Sequence, residues 1–325
     1  TSNGYTPLVE TLKKFDVPTE EDAAILLFNL PEGTRFKLKN LLLQKGKLRR
    51  TRYICQEVNT GKLYLVAKNA QVQTLDTFLK AQEHNIQKLL HKQEIWAQEN
   101  VKNYPRLPHN LKFIAGNFRN DAQRRQSFIS ALRLAADTRF ALYLQTDPRL
   151  PNPTELSPLA TDIVVSPSVQ KWVQASHFYN IKPGQKITAL STLATATDEP
   201  DWGFDMLLWE DSPSSWGKTY GFGTQPFSSV SGPLASQSPF HSGFYFEQRL
   251  VNVANPRLSE SYPLLRIHQF STLAELAFTS GHDYWGWRFL GNGLHYLQDL
   301  TQPYHASITP GETSAYLAGL HLLDS

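Results

Sequence analysis

Apolar side chains recur at helical spacing along most of this chain. From Val72 to Val101 they follow the three- and four-residue steps of an amphipathic helix, and the segments 121–145, 166–180 and 184–196 repeat this pattern. Beyond Pro263 the same spacing continues to about residue 300. The pattern therefore predicts a protein that is mainly α-helical.

A different period appears near the N-terminus. Residues 47–67 alternate apolar and polar side chains around a central Asn-Thr-Gly, which is typical of a β-hairpin. Ahead of it, Thr19 and Asp22 form the capping pattern of a short helix that begins near Glu20. We therefore expect an N-terminal region over 1–105, with helices and a small β element, beside a helical core over 106–325.

Residues 210–243 fit neither period. The segment is rich in serine, glycine and proline, which interrupt both helices and strands. Loops of this length inside a compact domain are usually functional or disordered. Because the segment also carries several aromatic residues, we expect a long but ordered loop.

Composition narrows the class of protein without naming a function. Of the 325 residues, 41% are hydrophobic and 19% are charged, and the net charge is only +3, so nothing calls for a nucleic-acid partner. No apolar run approaches the ~20 residues of a transmembrane helix. The single cysteine, Cys55, excludes an internal disulfide. Because Thr1 is not an initiator residue, we expect a secreted or periplasmic monomer whose signal peptide has been removed.

The stretch GNGLHYLQDLTQPYH at 291–305 carries the clearest chemistry. His295 and Asp299 are four positions apart, so an imidazole and a carboxylate share one helix face and can share a metal ion. Pro303 ends that helix and turns His305 back toward Asp299. Such nitrogen and oxygen donors suit zinc, although a His-Asp pair alone is as often structural. The buried face of this helix is predicted to carry Leu290, Leu294 and Leu297.

The complete string resembles the signature of the bacterial zinc-dependent phospholipases C and of the related single-strand nucleases. It reads His295-Tyr296, Asp299, Gln302-Pro303 and His305, and the match covers about residues 290–306. The resemblance implies a helical bundle of the zinc-dependent phospholipase C type, with three zinc ions at the base of a cleft. It also implies that His295 and Asp299 bind one zinc, that Asp299 bridges to a second, and that His305 belongs to the remaining ion.

In that family the first zinc takes a further aspartate and histidine from earlier in the chain. The acidic stretch after the helix at 184–196 offers Asp198, Asp201 and Asp205, of which Asp201 and Asp205 are the preferred ligands. Either of these two is also the candidate general base. An acidic helix cap is the alternative for this stretch. His241 is the matching histidine, and packing against Phe240 is its alternative.

The other zinc ions are matched less completely. The family holds one of them with an N-terminal tryptophan and a nearby histidine, whereas this chain begins differently. His109 and His177 are candidates for that ion, and each is also suited to ordinary packing. For the zinc held by His305 the resemblance implies His321, with Asp324 near the position of the family's acidic ligand.

The resemblance implies a phospholipase C that hydrolyses phosphatidylcholine or phosphatidylethanolamine to diacylglycerol and a phosphorylated headgroup. Its partner would be the phospholipid membrane surface, and Trp202, Phe204 and Tyr220 would line the substrate site, although a place in the core is equally open for them. A single-strand nuclease or nucleotidase is the first alternative. A non-catalytic effector or binding protein with a structural zinc is the second. The chain has no long basic tract for nucleic acid and no disulfides, which favours the phospholipase.

Overall fold

The computed structural model describes residues 25–29, 37–38, 53–57, 62–67, 69–146, 156–167, 177–227, 235–245, 247 and 249–308. The short helix predicted near Glu20 lies outside these ranges, and so do His321 and Asp324.

Short antiparallel strands form three separate sheets in this part of the chain. The first sheet has the order β1-β4-β3-β2 and consists of β1 (Ile25–Asn29), β2 (Lys37–Leu38), β3 (Tyr53–Glu57) and β4 (Lys62–Ala67). Strands β3 and β4 pair from Tyr53 opposite Ala67 to Glu57 opposite Leu63, so the predicted hairpin is confirmed. The other sheets pair β5 (Asn69–Gln71) with β8 (Lys186–Thr188), and β6 (Tyr143–Thr146) with β7 (His177–Asn180).

Helices dominate the rest of the described chain, which confirms the mainly α-helical prediction. They are α1 (Leu75–Ala81), α2 (Glu83–Asn100), α3 (Asp121–Leu132), α4 (Thr161–Val164), α5 (Ala189–Thr197), α6 (Ser215–Tyr220), α7 (Ser238–His241), α8 (Arg249–Ala254), α9 (Pro263–Thr279), α10 (Asp283–Asp299) and α11 (Pro303–Ala306). None of the helices described here is long and apolar enough to cross a membrane.

Three predicted helices are wrong over part of their length, and the one expected over 184–196 begins with strand β8 and becomes helical only at Ala189. The helix expected over 121–145 ends at Leu132, because Arg133 adopts a left-handed conformation with φ of 52° and its N–H caps the last turn of α3. The chain then enters β6 instead. Likewise, residues His177–Asn180 of the helix expected over 166–180 form strand β7. These two strands pair with each other, and Tyr143 meets Phe178 edge to face across the pair. Distant pairing therefore overrides the local helical spacing.

Helix α10 is the centre of the core. Trp285, Phe289 and Tyr296 are completely buried along it, in an apolar cluster that runs from Ala70 to Tyr296 and so crosses the predicted boundary at residue 105. Helices α9 and α5 pack on α10. Gly291 permits the close approach of α5, because a Cβ at this position would lie 2.6 Å from the carbonyl oxygen of Leu193.

The buried face of α10 differs from the one predicted. Leu290 and Leu294 are only half-buried at the edge of the core, and Leu297 is 48% exposed. The larger aromatic residues of the helix fill the interior, since they bury more apolar area. Leu297 therefore faces solvent near the C-terminal end of α10.

Candidate metal centre

Three separate segments meet at the C-terminal end of α10. That helix carries His295 and Asp299 one turn apart, and the short helix α7 ends at His241. Directly after α5, a 3-10 turn over Glu199–Trp202 carries Asp201. The turn closes on Gly203, whose φ of 122° favours glycine over any other residue. Long-range packing thus gathers four of the predicted ligands.

Asp201 Oδ1, His241 Nδ1 and His295 Nε2 form the donor cluster, and Asp299 Oδ2 lies beside its two nitrogens. His241 Nδ1 and His295 Nε2 are 3.0 Å apart. Asp299 Oδ2 lies 2.8 Å from the first nitrogen and 3.2 Å from the second, and Asp201 Oδ1 lies 4.0 Å and 3.7 Å from them. Zinc bonds of about 2.0–2.1 Å in a tetrahedron separate neighbouring ligand atoms by about 3.3 Å. The observed spacings lie on both sides of this value, so small shifts would suit one ion.

The ring of His295 is oriented with one nitrogen toward the cluster. Its Nδ1 lies 2.6 Å from the backbone carbonyl oxygen of Thr197, which can only accept a hydrogen bond. Nδ1 therefore carries a proton, and Nε2 is the nitrogen that faces His241 and Asp299. A metal-binding histidine is usually fixed by such a bond from its other nitrogen.

The ring of His241 is supported from behind by Asp205. His241 Nε2 lies 3.5 Å from Asp205 Oδ2, while Nδ1 faces the other donors. Asp205 is completely buried and is itself held by Arg266, whose Nε is 2.8 Å from Oδ1, and by the hydroxyl of Tyr296, 2.5 Å from Oδ2. This gives His241 a carboxylate partner on the side away from the cluster, as metal-binding histidines commonly have.

The carboxylates around the cluster favour positive charge at its centre. Burial opposes a charge on His241, but the nearby carboxylate of Asp205 and the hydrogen bond to Asp299 outweigh burial and raise the pKa of His241 to about 10. Burial also opposes a charge on Asp299, yet His241 and His295 hold the pKa of that carboxyl well below its usual value. A divalent cation would supply the positive charge that this environment stabilises.

Solvent reaches the cluster from one side. The side chain of Asp201 is 53% exposed, whereas those of His241 and His295 are 5% and 9% exposed. Asp299 lies between these extremes at 15%. A catalytic metal site keeps an open position of this kind, while a structural site is closed by protein ligands.

His305 lies beside the cluster. Helix α10 ends at Asp299 and α11 begins at Pro303, so the predicted helix end is confirmed. His305 Nδ1 is 3.0 Å from the carbonyl oxygen of His241 and 3.6 Å from Asp299 Oδ1. Asp299 Oδ1 thus faces His305, while Asp299 Oδ2 faces His241 and His295.

Asp205 differs from its predicted role as a direct ligand and base. Both of its oxygens are engaged by Arg266 and Tyr296 in the interior, so it supports His241 and has no free side toward the open edge. Its charge is nevertheless retained, since the Arg266 guanidinium outweighs burial and lowers the pKa of Asp205.

The predicted aromatic lining is only partly near the surface. Phe204 stacks on Phe270 and Tyr220 is 2% exposed, so both belong to the core and not to a substrate wall. Trp202 follows Asp201 and is half-buried, with its ring edge to face against Phe178. Phe204 and Tyr220 lie in the core because burial of their large apolar area stabilises the fold.

The remaining predicted histidines lie elsewhere. His109 begins a 3-10 turn and His177 begins β7, and both are exposed outside the donor cluster. Asp198 lies at the C-terminal end of α5 and its side chain does not cap the following 3-10 turn, while Gln145 donates to its carboxylate. His321 belongs to the residues that are not described.

Sequence reasoning missed the groups that orient the ligands. The Thr197 carbonyl carries no side-chain signal at all. Arg266 was detectable, because it lies beside Leu265 and Phe270 on the mostly apolar face of α9, and an arginine buried in such a face needs an acidic partner.

Asp201, His241 and His295 together can hold a metal ion, and the orientation of both imidazole rings fits that use. Comparisons of the chain with protein-family models, with curated proteins and with solved structures found no match.

Proposed function

We propose that this protein is a zinc-dependent phospholipase C. The observation that carries the proposal is the cluster of Asp201, His241 Nδ1 and His295 Nε2, with half-exposed Asp201 at its edge and Asp299 Oδ2 beside the two nitrogens. Two imidazoles and two carboxylates form a donor set that suits zinc. The signature at 295–305 supports the same assignment.

His305 and Asp299 Oδ1 extend the donor set beside the first cluster, where His305 Nδ1 lies 3.6 Å from Asp299 Oδ1. Because this Nδ1 is bonded to the carbonyl oxygen of His241, Nε2 is the His305 nitrogen that would bind a metal. We propose that His305 and Asp299 contribute to a neighbouring zinc ion, so that the protein holds up to three. Close metal ions suit phosphodiester hydrolysis, since they polarise phosphoryl oxygens and activate water when bound.

Asp201 is the residue best suited to accept a proton. It is the most exposed of the four donor residues, and no buried arginine occupies it as Arg266 occupies Asp205. In the proposed reaction Asp201 takes the proton of the attacking water while hydroxide adds to phosphorus. The bond from phosphorus to the glycerol oxygen breaks, and that oxygen receives the proton. The products are diacylglycerol and the phosphorylated headgroup.

Exposed apolar side chains close in sequence to Asp299 and His305 favour a lipid surface over a nucleic acid. Leu297 is 48% exposed, Tyr304 is 77% exposed and Ile308 is 42% exposed, and they flank Asp299 and His305 in the sequence. Exposed apolar residues grouped near a site are typical of contact with a membrane or another apolar partner.

The test is diacylglycerol release from vesicles of phosphatidylcholine and phosphatidylethanolamine. We expect release that requires zinc, stops with a chelator and is lost in His295→Ala. Cleavage of single-stranded DNA by the zinc-loaded protein, without lipid hydrolysis, would instead establish the nuclease. A zinc-loaded protein that hydrolyses neither substrate would favour the non-catalytic alternative and overturn the proposal.

A further inference from the structure

Three residues on one face of α10 hold the segment that leads into the Asp201 turn. Arg288, Asn292 and His295 are spaced by four and three residues, so they lie on the same side of the helix. His295 bonds to the carbonyl oxygen of Thr197, as described above. Asn292 Nδ2 donates to the carbonyl oxygen of Ala196 over 2.9 Å. The end of α5 is thus tied to the helix that provides two metal ligands.

Glu199 is the side chain on which this face converges. Arg288 Nε lies 2.9 Å and 3.1 Å from its two carboxylate oxygens, and Arg288 Nη2 also donates to the carboxylate. Asn292 Nδ2 donates to the same carboxylate over 2.8 Å. A two-pronged guanidinium contact fixes both the distance and the direction of a carboxylate.

This ion pair is deeply buried. Glu199 and Arg288 are each 3% exposed, and Asn292 has no exposed surface. Moving Glu199 away from Arg288 would leave two unpaired charges in the interior, which is strongly unfavourable. The position of Glu199 relative to α10 is therefore fixed.

Asp201 depends on that position. It lies two residues beyond Glu199 in the same 3-10 turn, and its own side chain is half exposed, with Asp201 Oδ1 no closer than 3.7 Å to either histidine nitrogen. Its location is thus set mainly by the backbone of the turn. Glu199 connects this backbone to the helix that carries His295 and Asp299.

We infer that Glu199, held by Arg288 and Asn292, is a positioning residue that places Asp201 for metal binding without contacting the metal. The inference rests on the zinc site of the proposed function. Loss of a supporting group of this kind typically weakens metal affinity about 10- to 100-fold.

The test compares zinc affinity of the full chain and of Glu199→Gln by competition with a chromophoric chelator. We expect about 10- to 100-fold weaker binding. The matched control is Glu83→Gln, since Glu83 also pairs with a largely buried arginine, Arg124, but joins α2 to α3. The control should bind zinc as the unaltered protein does. A folded Glu199→Gln protein with unchanged affinity would overturn the inference.

A second variant and a double variant complete the test. Asn292→Ala removes the bonds to Glu199 and Ala196 without leaving a charge unpaired, so it decides the matter if Glu199→Gln does not fold. Because Glu199 acts through Asp201, its effect should largely vanish when Asp201 is already Asn. Additive losses would indicate general destabilisation and contradict positioning. An unaltered protein that binds no zinc would refute the proposed site itself, which is a separate outcome.

Discussion

The Nδ1–H of His295 donates to the backbone carbonyl oxygen of Thr197, 2.6 Å away. This bond joins the end of α5 to the C-terminal part of α10 and places a proton on Nδ1. The other nitrogen, Nε2, faces His241, Asp201 and Asp299, where it could bind a metal. One contact thus links helix packing to ligand chemistry.

Removing the hydroxyl of Tyr296 should weaken both stability and zinc binding. The hydroxyl donates to Asp205, which in turn supports His241. We expect Tyr296→Phe to lower the free energy of unfolding by about 1.5–3 kcal/mol, the usual value for a hydrogen bond to a charged group. Zinc affinity should fall by about tenfold or more. Chemical denaturation and chelator competition measure the two effects. Tyr304→Phe is the control, and its exposed ring should leave both quantities unchanged.

A methyl group at residue 291 should separate α5 from α10. The added Cβ would meet the Leu193 carbonyl oxygen at 2.6 Å and the Ala196 Cβ at 2.7 Å. We expect Gly291→Ala to destabilise the fold by about 1–3 kcal/mol through overpacking, and to weaken zinc binding because Thr197 moves with α5. Gly293→Ala on the same helix has its nearest contact at 3.3 Å and should cost less. Equal losses in the two variants would argue against the close helix contact.

Zinc affinity should rise with pH. Nearby carboxylates raise the pKa of His241 to about 10 from its usual 6.5, so the stability that this proton provides is present below pH 6.5 and is lost as pH rises through 10. Zinc must displace the same proton, and its affinity should therefore increase about tenfold per pH unit across the neutral range. Competition titrations at several pH values measure this slope. A flat profile would mean that His241 binds no metal.

Exposed apolar residues near His305 should matter for vesicles more than for dissolved substrate. Leu297→Ser combined with Tyr304→Ser should lower the ratio of the hydrolysis rate on vesicles to that on a short-chain, monomeric phosphatidylcholine severalfold, because less apolar area enters the interface. Ile95→Ser is the control, since Ile95 is 44% exposed on α2. An unchanged ratio in the double variant would remove the evidence for a lipid surface.

Local sequence spacing predicts some features of the candidate site, whereas features that depend on distant residues cannot be predicted from it. The spacing of His295, Asp299 and Pro303 predicts the helix, its end and the shared ligand face, because all three properties are local. Choosing between Asp201 and Asp205 is not local. Arg266 on α9 and Tyr296 on α10 form hydrogen bonds to Asp205. The spacing of residues within 198–205 does not indicate these distant partners. The strands at 143–146 and 177–180 were missed for the same reason, since each exists through its partner.

The amount and position of bound zinc would show directly whether His241 and His295 hold a zinc ion. The zinc-loaded protein would be crystallised and its anomalous scattering measured on both sides of the zinc absorption edge, with metal content determined for His295→Ala and for His268→Ala as control. We expect an anomalous peak within bonding distance of His241 Nδ1 and His295 Nε2, and loss of zinc from His295→Ala but not from His268→Ala. Full zinc content in His295→Ala, or a peak away from these nitrogens, would contradict it.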